Sequence, residues 1–77
     1  MNSNLLKAVI AKNGDTQSKL ADAMGMQISA LSQRMSGRID FRRSEIQFIK
    51  QRYNLTSEEV DSIFFEELMS VKDTKGA

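Results

Sequence analysis

The sequence predicts an all-α fold, a compact domain of five short helices. Proline is absent and glycine occurs only four times in 77 residues, so few positions interrupt a helix. Apolar residues recur at spacings of three and four, as the buried face of a helix requires. A chain of this length supports one domain, which we place at residues 1–69, and we expect residues 70–77 to form a disordered tail.

The first two helices are predicted from apolar stripes that lie between capping residues. The stripe of the first helix is Leu5, Leu6, Val9 and Ile10. Ser3 or Asn4 is expected to cap its start, and Gly14 to end it. The second helix is shorter, and its apolar residues are Leu20, Ala21 and Met24. Thr16 is expected to cap this helix and Gly25 to end it.

The third helix is predicted from Ile28 to Ser36, because Leu31 and Met35 lie four residues apart and Gly37 follows. The apolar residues of the fourth helix are Ile46, Ile49 and Tyr53. Asn54 is expected to end the fourth helix in a left-handed conformation.

The fifth helix is predicted to begin at a capping box, in which Thr56 and Glu59 satisfy each other's backbone N–H groups. Its inward face is expected to carry Val60, Ile63, Phe64 and Leu68.

The charges divide the chain into two parts. Residues 1–53 hold nine Lys or Arg against four Asp or Glu, a net +5, whereas residues 54–77 hold two Lys against six acids, a net −4. This asymmetry indicates a surface that meets a polyanion and another that faces away from it. The alternative is that the charged residues are distributed unevenly over a small surface without a functional reason.

The composition argues against an enzyme. The chain has no Cys and no His, so it lacks disulfides, thiolates, the commonest general base and the commonest metal ligands. Glu58, Glu59 and Asp61 are explained by the start of a helix. We expect no metal, no cofactor and no small-molecule ligand. No apolar run is long enough to span a bilayer and no signal segment precedes the domain, so we expect a cytoplasmic protein without a membrane partner.

Residues 16–38 are the most informative about function. Gly25 permits a sharp turn between two helices, and the small side chain of Ala21 lets them approach closely. The face of the third helix opposite its apolar residues is almost entirely polar. Its members are Gln27, Ile28, Ser29, Ser32 and Gln33. We call this polar face the front of the helix and the apolar face its back. A helix whose back packs in the core and whose front carries such residues can enter the major groove of DNA.

This stretch resembles the phage repressor and Cro helix-turn-helix family. The family pattern is Q-x-x-L-A-x-x-x-G-x-x-x-S-x-L-S-x-x-x-x-G-[KR], and the chain matches it at Gln17, Leu20-Ala21, Gly25, Ser29, Leu31-Ser32 and Gly37-Arg38. The resemblance covers about residues 3–68 and is closest to small prophage-encoded members. It implies a lambda repressor-like domain, with a helix-turn-helix formed by helices 2 and 3, that binds operator DNA as a dimer. The chain departs from many members at Met35, where they have Glu, and at Arg34, where they have an aliphatic residue.

The third helix is predicted to contact bases through the five residues of its front, Gln27, Ile28, Ser29, Ser32 and Gln33. A Gln side chain suits the N6 and N7 atoms of adenine, and Ser is permissive. The alternative is a solvated helix face. Ile28 can pack on a thymine methyl group, or against Met26 or a dimer partner.

The predicted phosphate contacts lie at the start of the second helix and after the third. They are Thr16, Gln17, Arg34, Ser36, Arg38, Arg42 and Arg43. The resemblance implies the Gln17 contact, and arginines supply phosphate binding without sequence preference. Each contact has a structural alternative. Gln17 can be a solvated residue in the first turn of its helix, and Ser36 can serve only to end its helix. Arg34 and Arg42 can instead form an ion pair with Asp40 or Glu45.

Phe65 and Met69 are candidates for a subunit contact, because they cannot fully share the inward face of Phe64. Leu68 is a further candidate wherever its apolar surface is not used in the core. We therefore predict a sequence-specific transcriptional regulator of bacterial cytosol, nucleoid-associated when bound. Its partners are double-stranded operator DNA and a second copy of the chain. It is more like Cro than a full repressor, since 77 residues leave no room for a second domain. The alternative is an antitoxin or antirepressor-like protein-interaction module.

Overall fold

The computed structural model describes residues 1–65, which form five α-helices and no strand. In chain order these are α1 Ser3–Lys12, α2 Gln17–Ala23, α3 Ile28–Met35, α4 Arg43–Arg52 and α5 Ser57–Phe64. The all-α prediction is confirmed. Leu68, Met69 and the predicted tail, residues 70–77, lie outside the described residues.

Each of the first four helices ends in a Schellman motif, and the predicted stops are confirmed. After α2, Gly25 has a φ of 71° and the following N–H, from Met26, donates to the Ala21 carbonyl at 3.0 Å. Asn54 takes the same place after α4, with a φ of 53°. The motif turns the chain sharply while satisfying the last carbonyls of the helix. The links between helices are therefore short.

Two of the predicted helix starts are confirmed in detail. The Thr16 hydroxyl accepts from the Lys19 N–H at 3.1 Å, and so caps α2. At α5, Thr56 Oγ1 accepts from the Glu59 N–H at 3.1 Å while Glu59 Oε1 accepts from the Thr56 N–H at 2.9 Å, which is the complete capping box.

The predicted cap of α1 was wrong. The cap is Asn2, whose Oδ1 accepts from the Leu5 N–H at 3.1 Å, so Ser3 and Asn4 lie inside the first turn. The Asn2 N–H also donates to the Ile63 carbonyl of α5 at 2.7 Å. This second bond joins the start of α1 to α5, whereas the capping bond itself is local.

The core receives one fully buried side chain from every helix. These five are Leu6, Leu20, Leu31, Ile49 and Ile63. Around them, Phe41 packs edge-on against Phe64 with ring centroids 5.3 Å apart, and the predicted burial of Phe64 is confirmed. Burial of a Leu or Ile side chain contributes about 1.5–3 kcal/mol, so every helix is held by its own apolar anchor.

The helices form two groups by backbone proximity. α2 lies against α3, whereas α5 lies against both α1 and α4. All five contribute to one continuous apolar cluster. No described helix combines the length and the apolar character needed to cross a bilayer.

Candidate nucleic-acid interface

The structure places the five predicted base-contacting residues together on the exposed front of α3. Leu31 and Met35 bury the back of this helix in the core. The front consists of exposed side chains: Gln27, Ile28, Ser29, Ser32 and Gln33. Within residues 1–65, the side-chain hydrogen bonds made by α3 and its last cap come from Arg34 and Ser36, on other positions of the helix. The polar groups of the front are therefore free to bind another molecule.

Ile28 is the apolar member of this front, and 51% of its surface is exposed. It shares a shallow cleft of about 330 Å³ with Met26, Lys19 and Asp22. The side chain thus lies beside Met26 without being covered by it. Among the exposed large apolar side chains of the described residues, Ile28 is the most exposed.

Three of the four predicted phosphate-binding arginines are exposed. Arg38, Arg42 and Arg43 lie in or next to the loop between α3 and α4, and none of them forms an ion pair within the described residues. Their guanidinium groups keep all their donors available for a polyanion.

Arg34 differs from these three, because it is paired inside the protein. Its Nε lies 3.0 Å from Glu45 Oε1, and its Nη1 donates to the Ala30 carbonyl at 3.1 Å. The two charged side chains are only 14% and 15% exposed. The ion pair with Glu45, one of the alternatives left open by the sequence, is therefore present, and it and the bond to Ala30 use two of the five N–H donors of Arg34 inside the protein.

Glu45 joins α3 to the first turn of α4. Besides pairing with Arg34, Oε1 accepts from the Arg42 N–H at 2.9 Å. Burial raises the pKa of Glu45, but the hydrogen bonds from Arg42 and Arg34 outweigh it, and the pKa falls below its ordinary value. Arg42 contributes only its backbone, because a guanidinium cannot accept a hydrogen bond and complete a capping box.

The two predicted hydroxyl contacts differ in what they can donate. Ser36 donates its hydroxyl proton to the Gln33 carbonyl at 3.0 Å, which matches its alternative role at the end of a helix. Thr16 accepts a hydrogen bond through its oxygen, so its proton stays available for a phosphate. Gln17 follows Thr16 and is half-buried. At the start of α2, Thr16 and Gln17 therefore remain candidates.

Asp15 holds the start of α2 against the end of α4, a site that the sequence analysis missed. Its Oδ2 accepts from Arg52 Nε at 2.9 Å and from the Tyr53 hydroxyl at 2.7 Å. Its Oδ1 accepts from the Thr16 N–H at 2.9 Å. The partners lie 37 and 38 residues along the chain, so no local pattern indicates this contact.

The charges of this cluster are fixed over a wide pH range. The hydrogen bonds from Arg52 and Tyr53 hold the pKa of Asp15 well below its usual range. Burial, followed by the hydrogen bond to Asp15, raises the pKa of Tyr53 to about 12. The hydrogen bond to Asp15 also raises the pKa of Arg52. At neutral pH the cluster is therefore a carboxylate bound by a cation and a neutral phenol.

Three of the acidic side chains lie on a different helix from the candidate interface. Glu58, Glu59 and Asp61 are exposed on α5, which lies against α1 and α4. The hydrogen bonds with Thr56 lower the pKa of Glu59, so its negative charge serves the helix cap. Phe65, which follows α5, is 41% exposed.

The described residues contain no group of three or more acidic side chains arranged to hold a metal ion. Comparison of the chain with protein-family models, with curated proteins and with solved structures gave no match. The function is therefore inferred from the surface chemistry of α3 and the loop that follows it.

Proposed function

We propose that this chain is a sequence-specific DNA-binding regulator that inserts α3 into the major groove of operator DNA. The observation that carries the proposal is the two-sided character of α3. Its back is buried in the core, and its front presents five exposed side chains without a charge. Neutral amide and hydroxyl groups match the donor and acceptor pattern of base edges, which is how sequence is recognised in the groove.

Arg38, Arg42 and Arg43 supply the binding energy that does not depend on sequence. They follow α3 in the chain, and their exposed guanidinium groups can bind phosphates on either side of the groove. Asp40 is the one acid among the charged residues between positions 38 and 43. The other concentrated negative charge of the described chain is in the first half of α5, whereas Phe41 of this loop packs against Phe64 at the opposite end of that helix.

The proposed complex contains two copies of the chain. One recognition helix contacts only a few base pairs, which is too little information to select one site in a genome. A twofold dimer on a pseudo-palindrome would place two half-sites about 34 Å apart. We place the subunit contact after α5, where Phe65 is exposed and where Leu68 and Met69 follow in the sequence.

In this proposal α2 and α3 form the helix-turn-helix of a lambda repressor-like domain. The support is the sharp turn at Gly25 and the close packing of α2 on α3. Gln27 and Gln33 would contact adenines and Ile28 a thymine methyl group, with Ser29 and Ser32 as permissive contacts. Thr16 and Gln17 would contact a phosphate at the edge of the groove.

The first test is selection of bound sequences from a random pool of double-stranded DNA. Binding to the selected site is then measured as a function of salt. With three arginines per subunit on a dimer, the slope of log K against log salt should be roughly −5, because every neutralised phosphate releases counterions.

Matched variants show where this slope originates. Arg38→Gln should reduce the slope by about 2 in the dimer, whereas Lys7→Gln on α1 removes the same charge and should leave it nearly unchanged. Equal effects of the two variants would contradict the placement of the loop on DNA. If the chain selects no sequence and binds DNA without salt dependence, the proposal fails, and the antitoxin or antirepressor-like module becomes the better hypothesis.

A further inference from the structure

We propose that Asp15 is a positioning residue for DNA binding, one that holds Thr16 and Gln17 where they meet the phosphate backbone. This inference rests on the proposed function. Asp15 is not itself a DNA contact, since its carboxylate is bound on both oxygens and would repel phosphate. Its effect on binding passes through the residues that follow it.

The geometry makes Asp15 the link between two parts of the fold. Its side chain is only 9% exposed, and its two oxygens receive three hydrogen bonds. Two of these come from Arg52 and Tyr53 at the end of α4, and the third comes from the backbone of Thr16. The residue that caps α2 is therefore tied through one carboxylate to a helix far away in the sequence.

Apolar packing alone does not fix the hydrogen-bonding geometry at the start of α2. α2 packs mainly on α3, and Leu20 and Ala21 join it to the common core. Burial of apolar surface has no preferred direction, whereas charge-assisted hydrogen bonds fix distance and angle. Arg34 and Glu45 provide a second tie between α3 and α4. The Asp15 cluster thus adds directional hydrogen bonds between the start of α2 and the end of α4.

The decisive comparison is between two variants that remove the same charge. Asp22→Asn alters an exposed carboxylate on α2, for which the described chain shows no ion pair. It should bind selected DNA as tightly as the wild type or slightly more tightly, because a negative charge is lost. Asp15→Asn should bind about threefold to tenfold more weakly in spite of the same change in charge.

A double-mutant cycle identifies the residues through which Asp15 acts. Gln17→Ala should weaken binding about threefold to tenfold in the wild type but less than twofold in the Asp15→Asn background. The salt slope should stay the same in Asp15→Asn, because the arginines are untouched. A general loss of folded protein would instead leave the relative effect of Gln17→Ala intact.

Tyr53 reports on the cluster without DNA, since it is the only tyrosine in the chain. Ultraviolet titration should give its pKa as about 12 in the wild type and lower in Asp15→Asn. If Asp15→Asn does not fold, Tyr53→Phe decides the question. This variant keeps the buried ring, removes one of the bonds to Asp15, and should weaken DNA binding about twofold.

Two results would overturn the inference, and they are distinguishable. If the wild type binds DNA with the expected salt dependence but Asp15→Asn binds as tightly as Asp22→Asn, Asp15 does not position the contacts. If the wild type binds no DNA while Tyr53 still titrates near 12, the cluster is intact and the proposed function itself is wrong.

Discussion

Helices α3 and α5 are both eight residues long, yet their exposed surfaces differ in chemistry. Both bury an apolar face in the common core. α5 begins with a complete capping box and carries Glu58, Glu59 and Asp61 near its positive end. The cap residue before α3 is Gln27, whose side chain makes no capping hydrogen bond, and the helix exposes Ile28 in its first turn.

The difference shows which surface residues need an outside explanation. The acids of α5 stabilise their own helix, because negative charge near a helix N-terminus is favourable. The front of α3 does nothing comparable for the isolated domain. Residues that forgo local stability are expected where a partner is bound. This comparison favours the front of α3 as the proposed binding surface, and it explains the acids of α5 without a partner.

The largest expected effect tests whether the two helices are equally anchored. Leu31→Ala in α3 and Ile63→Ala in α5 each remove a fully buried side chain, and each should lower the free energy of unfolding by about 2–5 kcal/mol. Denaturant titration followed by circular dichroism measures both. A much smaller cost for Leu31→Ala would mean that α3 is loosely attached, and a rigid recognition helix would be contradicted.

The next effect should appear in binding alone. Gln33→Ala truncates an exposed side chain on the front of α3, so the free energy of unfolding should hardly change. Loss of a bidentate contact to a base should weaken binding to the selected site by about 1–3 kcal/mol. Binding to random DNA serves as the control and should stay nearly the same. An equal loss on both DNAs would show that Gln33 recognises no base.

The reverse pattern is expected on α5. Thr56→Ala removes the cap that receives the Glu59 N–H, and should lower the free energy of unfolding by about 0.5–2 kcal/mol. At temperatures where the variant stays folded, its affinity for DNA should equal that of the wild type, which titration of both proteins on the selected site would measure. A loss of affinity by folded Thr56→Ala would place α5 at or near the DNA.

Local signals predicted most of the helix ends and the front of α3. Gly25 and Asn54 end helices through a backbone conformation that these residue types favour. The capping box at Thr56 is equally local. The two faces of α3 follow from helical periodicity, which requires no knowledge of the rest of the fold.

Contacts between distant residues set the limit of such predictions. The prediction of Ser3 or Asn4 as the cap of α1 overlooked Asn2, although its capping bond is local. The bond from the Asn2 N–H to the Ile63 carbonyl, which joins opposite ends of the described chain, has no local signal. Whether Arg34 binds Glu45 or phosphate depends on where α4 begins, and the sequence left both open.

The Asp15 cluster lay beyond sequence analysis for the same reason. In the sequence, an Asp before a helix cap does not indicate which residues it binds. Only the folded chain brings Arg52 and Tyr53, at the end of α4, to Asp15.

The smallest expected effect concerns Gln27, the cap residue of α3. Gln27 has the extended backbone of a helix cap, with φ −74° and ψ 153°, but its side chain makes no capping bond. Gln27→Ser should let a hydroxyl accept from an N–H group in the first turn of α3, and so raise the free energy of unfolding by up to about 1 kcal/mol. If Gln27 contacts a base, the same variant should bind the selected site more weakly although it is more stable.

Gln27→Ala is the matched control, because it loses the amide without gaining a cap, and it should bind weakly with no increase in stability. Thermal unfolding and titration on the selected DNA measure the two properties separately. A Gln27→Ser protein that is more stable and also binds more tightly would mean that position 27 faces no base, and the uncapped start of α3 would then need a different explanation from DNA recognition.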